Sequence, residues 1–137
     1  MKRYVCGFLF NMEMTKVVLI KKNRPDWQKG KLNGVGGHIE EGEYSFSAMV
    51  REFKEETGLL IENWKDFCNM TAEDNRFEVH FYYSTYKNIE EVKTITDEEI
   101  KIVSIDDLFV LPVIDNLRWL IPMCLDPYNK FAVTKSK

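Results

Sequence analysis

Residues 37–59, GHIEEGEYSFSAMVREFKEETGL, place Glu52, Glu55 and Glu56 on little more than one turn of a segment with helical spacing. Side chains at i, i+3 and i+4 share a helix face, so these acids are expected to converge instead of dispersing around the cylinder. Like charges so placed repel one another unless a cation lies between them. Oxygen-only ligands suit a hard divalent ion, Mg²⁺ or Mn²⁺, both content with carboxylates, water and phosphate oxygens. The helix itself is expected over 45–57, with Ser45 as N-cap and Gly58 as the left-handed residue that stops it. Phe46, Met49, Val50 and Phe53 recur at i, i+3, i+4 and i+7 and predict a core stripe, off which the acids lie.

Around that helix the chain reads as strands and loops. Residues 4–10 and 16–22 are β-rich runs separated by Asn11-Met12-Glu13-Met14, the pattern of a hairpin. Residues 23–31 hold Pro25, Gly30 and many polar side chains and are expected to be a loop. Residues 32–39 carry Gly34, Gly36 and Gly37 among apolar neighbours, which predicts a strand whose backbone approaches a ligand phosphate or metal closely. Residues 59–70 read as a strand broken at Asn63, 76–86 as a long alternating strand, and 88–99 as an acidic loop. A short strand over 100–105, a helical turn over 106–109, a last helix over 114–125 that Pro122 kinks, and a frayed basic tail over 130–137 complete the reading. Strands, one strong helix, more strands and a closing helix predict an α/β fold, a mixed sheet covered on both faces. A length of 137 residues suits a single domain over 1–137.

Composition narrows the partners. A net charge of −3 supplies no global field to attract nucleic acid, so no stable nucleic-acid binding is expected. An anionic substrate must then be drawn by the metal and a few local cations. Cys6, Cys68 and Cys124 are odd in number and show no C-x-x-C spacing, which predicts a reducing, cytoplasmic setting. Residues 5–10 are apolar but too short for a signal peptide, and no run reaches the ~18 apolar residues of a membrane span, so no membrane is expected.

The pattern over 37–59 resembles the signature of the Nudix hydrolases, G-x5-E-x7-R-E-U-x-E-E-x-G-U with U apolar. Every fixed position is filled, by Gly37, Glu43, Arg51, Glu52, Phe53, Glu55, Glu56, Gly58 and Leu59, with Phe53 an aromatic where an aliphatic residue is usual. A solvated helix face is the commoner fate of an acidic run, yet a complete pattern beside a glycine-rich run favours metal binding. The resemblance implies the Nudix fold, an α/β/α sandwich with a central mixed sheet. It also implies that Glu52, Glu55 and Glu56 hold the metal with the carbonyl of Gly36, that Arg51 orients the acids, and that Glu43 supports it. A general base is shared between Glu98 and Glu99, with Glu56 as the alternative, and an exposed acidic loop is an equal reading of those two residues.

His38 and His80 lack metal spacing and read as strand residues, while Trp27, Phe8, Tyr82 and Trp119 could stack on a base or pack in the core. The run Leu32-Asn33-Gly34-Val35-Gly36-Gly37 is similar to that of the oxidised-purine-nucleotide branch, in which an asparagine contacts the base, and residues 115–122 also resemble that branch. The resemblance makes Asn33, Asp115 and Asn116 candidate base contacts, with Asn116 where a second acid would stand; among nearby basic residues, Lys31 is the candidate cation for the charge of the leaving group. The structural reading of the same residues is that Asn33 caps a strand edge and Asp115 caps the final helix. The expected activity is Mg²⁺-dependent hydrolysis of a nucleoside diphosphate linked to another moiety, foremost a purine nucleoside triphosphate, oxidised or not, by a monomer or homodimer. ADP-ribose or NAD-type dinucleotides and dinucleoside polyphosphates are alternatives. Against them stand the lack of a proline between Gly58 and Pro112 and the late position of Tyr82. A catalytically silent, nucleotide-binding regulatory module is a further alternative, against which every box glutamate is retained.

Overall fold

A computed structural model describes residues 1–128 and 131–136. Strands β1 (Lys2–Phe10), β2 (Lys16–Lys21), β3 (Leu32–Asn33) and β4 (Val35–His38) precede helix α1 (Ser45–Thr57). Strands β5 (Lys65–Ala72), β6 (Phe77–Thr85) and β7 (Ile100–Ser104), helix α2 (Leu117–Leu125) and strand β8 (Ala132–Ser136) follow. The sheet runs β3-β2-β1-β6-β5-β8, with β4 also on β1 and β7 also on β2. It is mixed: β1 pairs parallel with β6 and β5 with β8, while the other pairs are antiparallel.

Period-two alternation divides the apolar residues between two faces. Val5, Leu9, Val18 and Ile20 point to one side and pack with Ala48, Met49 and Phe53 of α1. Cys6, Phe8, Phe10, Val17 and Leu19 point to the other and pack with Leu117, Leu120, Ile121 and Cys124 of α2. The result is the expected α/β/α sandwich. Phe8 and Tyr82 are core residues, whereas Trp27 and Trp119 are exposed. The three cysteines are free and buried. Among the described residues no helix is long and apolar enough to cross a membrane.

Several local expectations change in the folded chain. Residues 32–39 are two strands, not one: β3 hydrogen-bonds to β2 and β4 to β1, with the switch at Gly34. The glycines there approach protein, not open ligand space. A side chain at Gly36 would run into the carbonyl of Val5, and one at Gly37 would meet the carboxyl carbon of Glu52 at 2.5 Å. Ser45 does not cap α1, since Tyr44 holds the N-cap position without a side-chain bond and the Ser45 hydroxyl pairs with the Tyr82 hydroxyl at 2.7 Å. Phe46 is 43% exposed because the first turn overhangs the sheet, and its ring meets Tyr82 edge-on. Gly58 does stop the helix, at φ 77°.

Residues 59–64 are irregular. Ile61 and Trp64 are buried there as plugs beneath α1, and only from Lys65 does the chain become a strand. The tail is the larger correction. Of the residues read as a frayed end, 132–136 form β8, in parallel register with β5 from Cys68↔Ala132 to Ala72↔Ser136. Thr and Val supply strand propensity, and Lys135 suits the charge that edge strands carry. Lys130 and Lys137, the ends of that expected tail, lie outside the described residues.

Candidate active site

The α1 acids do not all turn toward one another. Arg51 lies between two of them, its Nη1 donating to Glu52 Oε1 at 3.0 Å and to Glu55 at 3.2 Å. The rest of the guanidinium forks onto Glu43 at 2.8 and 2.9 Å and donates to the His38 carbonyl at 3.0 Å. The cation that relieves their repulsion here is therefore a side chain of the same helix. The bidentate arrangement is the strong form of the arginine–carboxylate bond, and it holds the Glu43 carboxyl below its usual range. Glu43 also accepts from the Glu40 amide at 3.0 Å, tying the loop before α1 to the same group.

Glu56 belongs to a second network. The Thr96 hydroxyl donates to Glu56 Oε2 at 3.0 Å and accepts from the Glu98 amide at 3.2 Å, a bridge between helix and acidic loop. Glu98 is buried, its side chain 6% exposed, where Lys22 Nζ donates to it at 3.1 Å and the Asn23 amide at 2.6 Å. Its neighbours turn outward: Asp97 pairs with Arg24, and Glu99, 57% exposed, pairs with Lys101 at 3.6 Å. Lys22 and Thr96 had no sequence signature. A lysine at a strand end and a threonine in a loop gain meaning only once β2 and residues 94–99 lie together.

Burial is the main force on two acids. It raises the Glu52 carboxyl above its usual range, with Arg51 opposing and the charges of Glu55 and Glu56 adding. Burial also raises Glu56, where the Thr96 bond and Lys22 oppose and Glu98 adds. Carboxylates whose charge is disfavoured by burial and by one another are suited to a hard cation, and the all-oxygen donor set is that of Mg²⁺ or Mn²⁺. The backbone fits as well, because the absence of a side chain at Gly37 is what lets β4 lie against the Glu52 carboxylate. Among the described residues no three His, Cys, Asp or Glu side chains are disposed as a ligand set, since Arg51 holds Glu52 and Glu55 while Thr96 holds Glu56.

The segments that carry the candidate base contacts run side by side at β3. Leu32 donates to the Pro112 carbonyl at 2.8 Å and accepts from the Ile114 amide at 2.9 Å, so the chain leading to Asp115 and Asn116 runs beside the one leading to Asn33. Asp115 is 94% exposed and pairs with Arg118 at 3.3 Å. Asn116 holds the N-cap position of α2 with no side-chain cap bond, and its Oδ1 is buried without a partner among the described residues. Asn33 is half-buried and bonded within the protein, its Oδ1 accepting from the Gly34 amide at 2.8 Å and its Nδ2 donating one hydrogen to Gln28 Oε1 at 3.0 Å. Lys31 stands half-buried at the end of the loop over 23–31, its amide bonded to the Gln28 carbonyl at 2.9 Å. His38 stacks on Tyr4, with ring centroids 4.5 Å apart.

The model of one domain family, the NUDIX domain, matches residues 1–121. No curated protein matches the chain. Among solved structures, a NUDIX hydrolase from Nitrosomonas europaea superposes with a TM-score of 0.77 at 15% identity, over 98% of this chain and 78% of that one. A MutT protein from Bacillus halodurans gives 0.72 at 18% identity, over 98% and 88% of the two chains. The NUDIX domain of Shewanella oneidensis NrtR, solved with ADP ribose, gives 0.68 at 18% identity, over 88% and 83%. These likenesses are of fold.

Proposed function

This chain belongs to the NUDIX family, whose hydrolases cleave pyrophosphate bonds, and from that premise we propose that it hydrolyses a nucleoside diphosphate linked to another moiety, foremost a purine nucleoside triphosphate, oxidised or not, to the monophosphate and pyrophosphate. The observation that carries the reading is the placing of Glu52 against the side-chain-free backbone of Gly37, one helix turn from Glu56, with burial raising both carboxyls. Glu52, Glu55, Glu56 and the Gly36 carbonyl would hold Mg²⁺ or Mn²⁺. When bound, such an ion neutralises phosphate oxygens and acidifies water.

The chain's own residues do the rest. Arg51, forked on Glu43, fixes the orientation of Glu52 and Glu55. Glu98 takes the proton of the attacking water, with Glu56 as the alternative; Glu99, turned to solvent on Lys101, is left outside. As the water oxygen bonds to phosphorus, the bridging P–O bond breaks, and Lys31 balances charge on the departing phosphate. Asn33, Asp115 and Asn116 contact the base. The whole of 1–137 acts as one domain, as a monomer or homodimer.

The test is a panel of purine and pyrimidine triphosphates, their oxidised forms, dinucleoside polyphosphates and ADP-ribose, incubated with Mg²⁺ or Mn²⁺ while phosphate and pyrophosphate release are read. Hydrolysis of a triphosphate to pyrophosphate is expected, abolished by excess EDTA and rising from neutral to mildly alkaline pH. Full activity in EDTA, or a trapped phospho-enzyme, overturns the reading.

A further inference from the structure

The amide of Asn33 has one possible orientation. A backbone N–H can only donate, so the side-chain atom facing the Gly34 amide at 2.8 Å is the oxygen. The Cys6 thiol points at that same oxygen from 3.8 Å. Burial pushes this thiol up to about 12, so it stays protonated as a weak donor. Both acceptor positions of Oδ1 are thereby taken from inside the protein. The Nδ2 group has two hydrogens and gives one to Gln28 Oε1 at 3.0 Å. One N–H is left, and no acceptor.

Gln28 can hold this arrangement because its own backbone is fixed. Its amide donates to the Pro25 carbonyl and its carbonyl accepts from the Lys31 amide, both at 2.9 Å. The ends of the loop are pinned by Gly30 to Lys22 at 2.8 Å and Lys22 to Lys31 at 2.9 Å. The same loop begins with Asn23, whose amide donates to the buried Glu98. One short segment therefore reaches both the acidic loop and Asn33.

We propose that Gln28 is a positioning residue which, with Cys6 behind it, makes Asn33 a pure donor toward the substrate, so that the base must present an acceptor there, an oxo oxygen or an unprotonated ring nitrogen. The proposal rests on the reading that Asn33 faces the base, and it adds the polarity of that contact. Gln28 touches neither the base nor the reacting phosphate. It acts by removing the alternative in which the Asn33 amide turns over and accepts from an amino group.

The experiment combines steady-state kinetics on the best triphosphate with ¹⁵N spectra of the Asn33 side-chain amide. Gln28→Ala is expected to raise KM about three- to tenfold, the range of one neutral hydrogen bond, and to change kcat less. Gln28→Glu keeps an acceptor in the same place and is expected to bring KM back to within about threefold of the parent. Asn33→Asp sets lone pairs against the substrate's acceptor and is expected to bind at least as poorly as Asn33→Ala. In the spectra, Gln28→Ala shifts and broadens the Asn33 amide pair with no nucleotide present. Equal KM values for the Ala and Glu variants of Gln28, a loss confined to kcat, or normal binding by Asn33→Asp each overturn the proposal. A protein that hydrolyses no triphosphate overturns the functional reading and the substrate part of this one, while the amide spectrum decides the positioning part alone.

Discussion

Arg51 and Asn33 each sit at the centre of a small hydrogen-bond network, and the two networks differ in kind. Around Arg51 the side-chain partners are carboxylates, Glu43, Glu52 and Glu55 with Glu40 further off at 4.0 Å. Around Asn33 the partners are neutral, a backbone amide, a thiol and the Gln28 carboxamide. Charged bonds of this sort are about twice as strong as neutral ones and reach further, so the first network can oppose the burial that raises Glu52. The neutral network contributes direction, not charge. A site that must gather phosphate and metal charge on one side and discriminate atoms of a base on the other has use for both.

The sharpest way to break this division is to remove charge from the first region. Glu56→Gln conserves volume and is expected to lower kcat by about a hundredfold or more, the scale of losing one preorganised electrostatic group at a reaction centre, while the melting temperature holds. Near-normal kcat at saturating Mg²⁺ would place the chemistry elsewhere. Arg51→Met should follow with a loss of about ten- to a hundredfold, the scale for outer partners of a metal site, together with a lower melting temperature, because Glu43, Glu52 and Glu55 lose their shared cation. Arg51→Lys should recover part of the stability and little of the activity, since an ammonium lacks the fork that spans Glu43. Full activity in Arg51→Lys would show that charge alone suffices.

In the neutral region effects should move to KM. Asn33→Ala is expected to raise KM for the best purine triphosphate about tenfold or more, the ~1–3 kcal/mol of a stranded buried partner, with a smaller change in kcat. Asp115→Ala should do less, because Asp115 is 94% exposed and pairs with Arg118 at 3.3 Å across a solvated surface. Equal kinetics of both variants on purines and pyrimidines, with a lowered melting temperature, would reduce these residues to structural caps.

The smallest effect is on stability against pH and distinguishes two glutamates of the same network. Glu43 is held below its ordinary value by Arg51. Its contribution is fully present above the ordinary carboxylate value of 4.5 and is lost as pH falls through the lower, folded value. Glu52 is raised, so between 4.5 and its folded value the native state keeps a proton the unfolded chain has released, and stability falls as pH rises through that window. In EDTA, Glu52→Gln should therefore melt above the parent at pH 7, with the difference closing toward pH 4.5, whereas Glu43→Gln should melt below it. Thermal melts from pH 4 to 8 check both signs. A Glu52→Gln protein that melts lower at pH 7 would mean that the Arg51 bond outweighs burial.

How much could be read in advance follows from the range of the forces involved. The bounds of α1, its stop at Gly58, the inward stripe of Met49 and Phe53 and the single-turn spacing of Glu52, Glu55 and Glu56 are local, because helical periodicity fixes neighbours three and four residues apart whatever the rest of the chain does. The alternating strands gave two apolar faces for the same reason, and with them the sandwich. What the acids bond to was not local. That Glu98 turns its carboxylate inward to Lys22 and the Asn23 amide while Glu99 turns out to Lys101 is decided where residues 94–99 are laid against β2, and adjacent residues of like charge carry no mark of which will be buried. The switch at Gly34, the pairing of β8 with the free edge of β5 and the reach of Gln28 to Asn33 are likewise contacts between chain segments whose meeting only the assembled sheet arranges. Local periodicity wrote the carboxylates of this protein into its sequence; long-range pairing of strands and loops chose their partners.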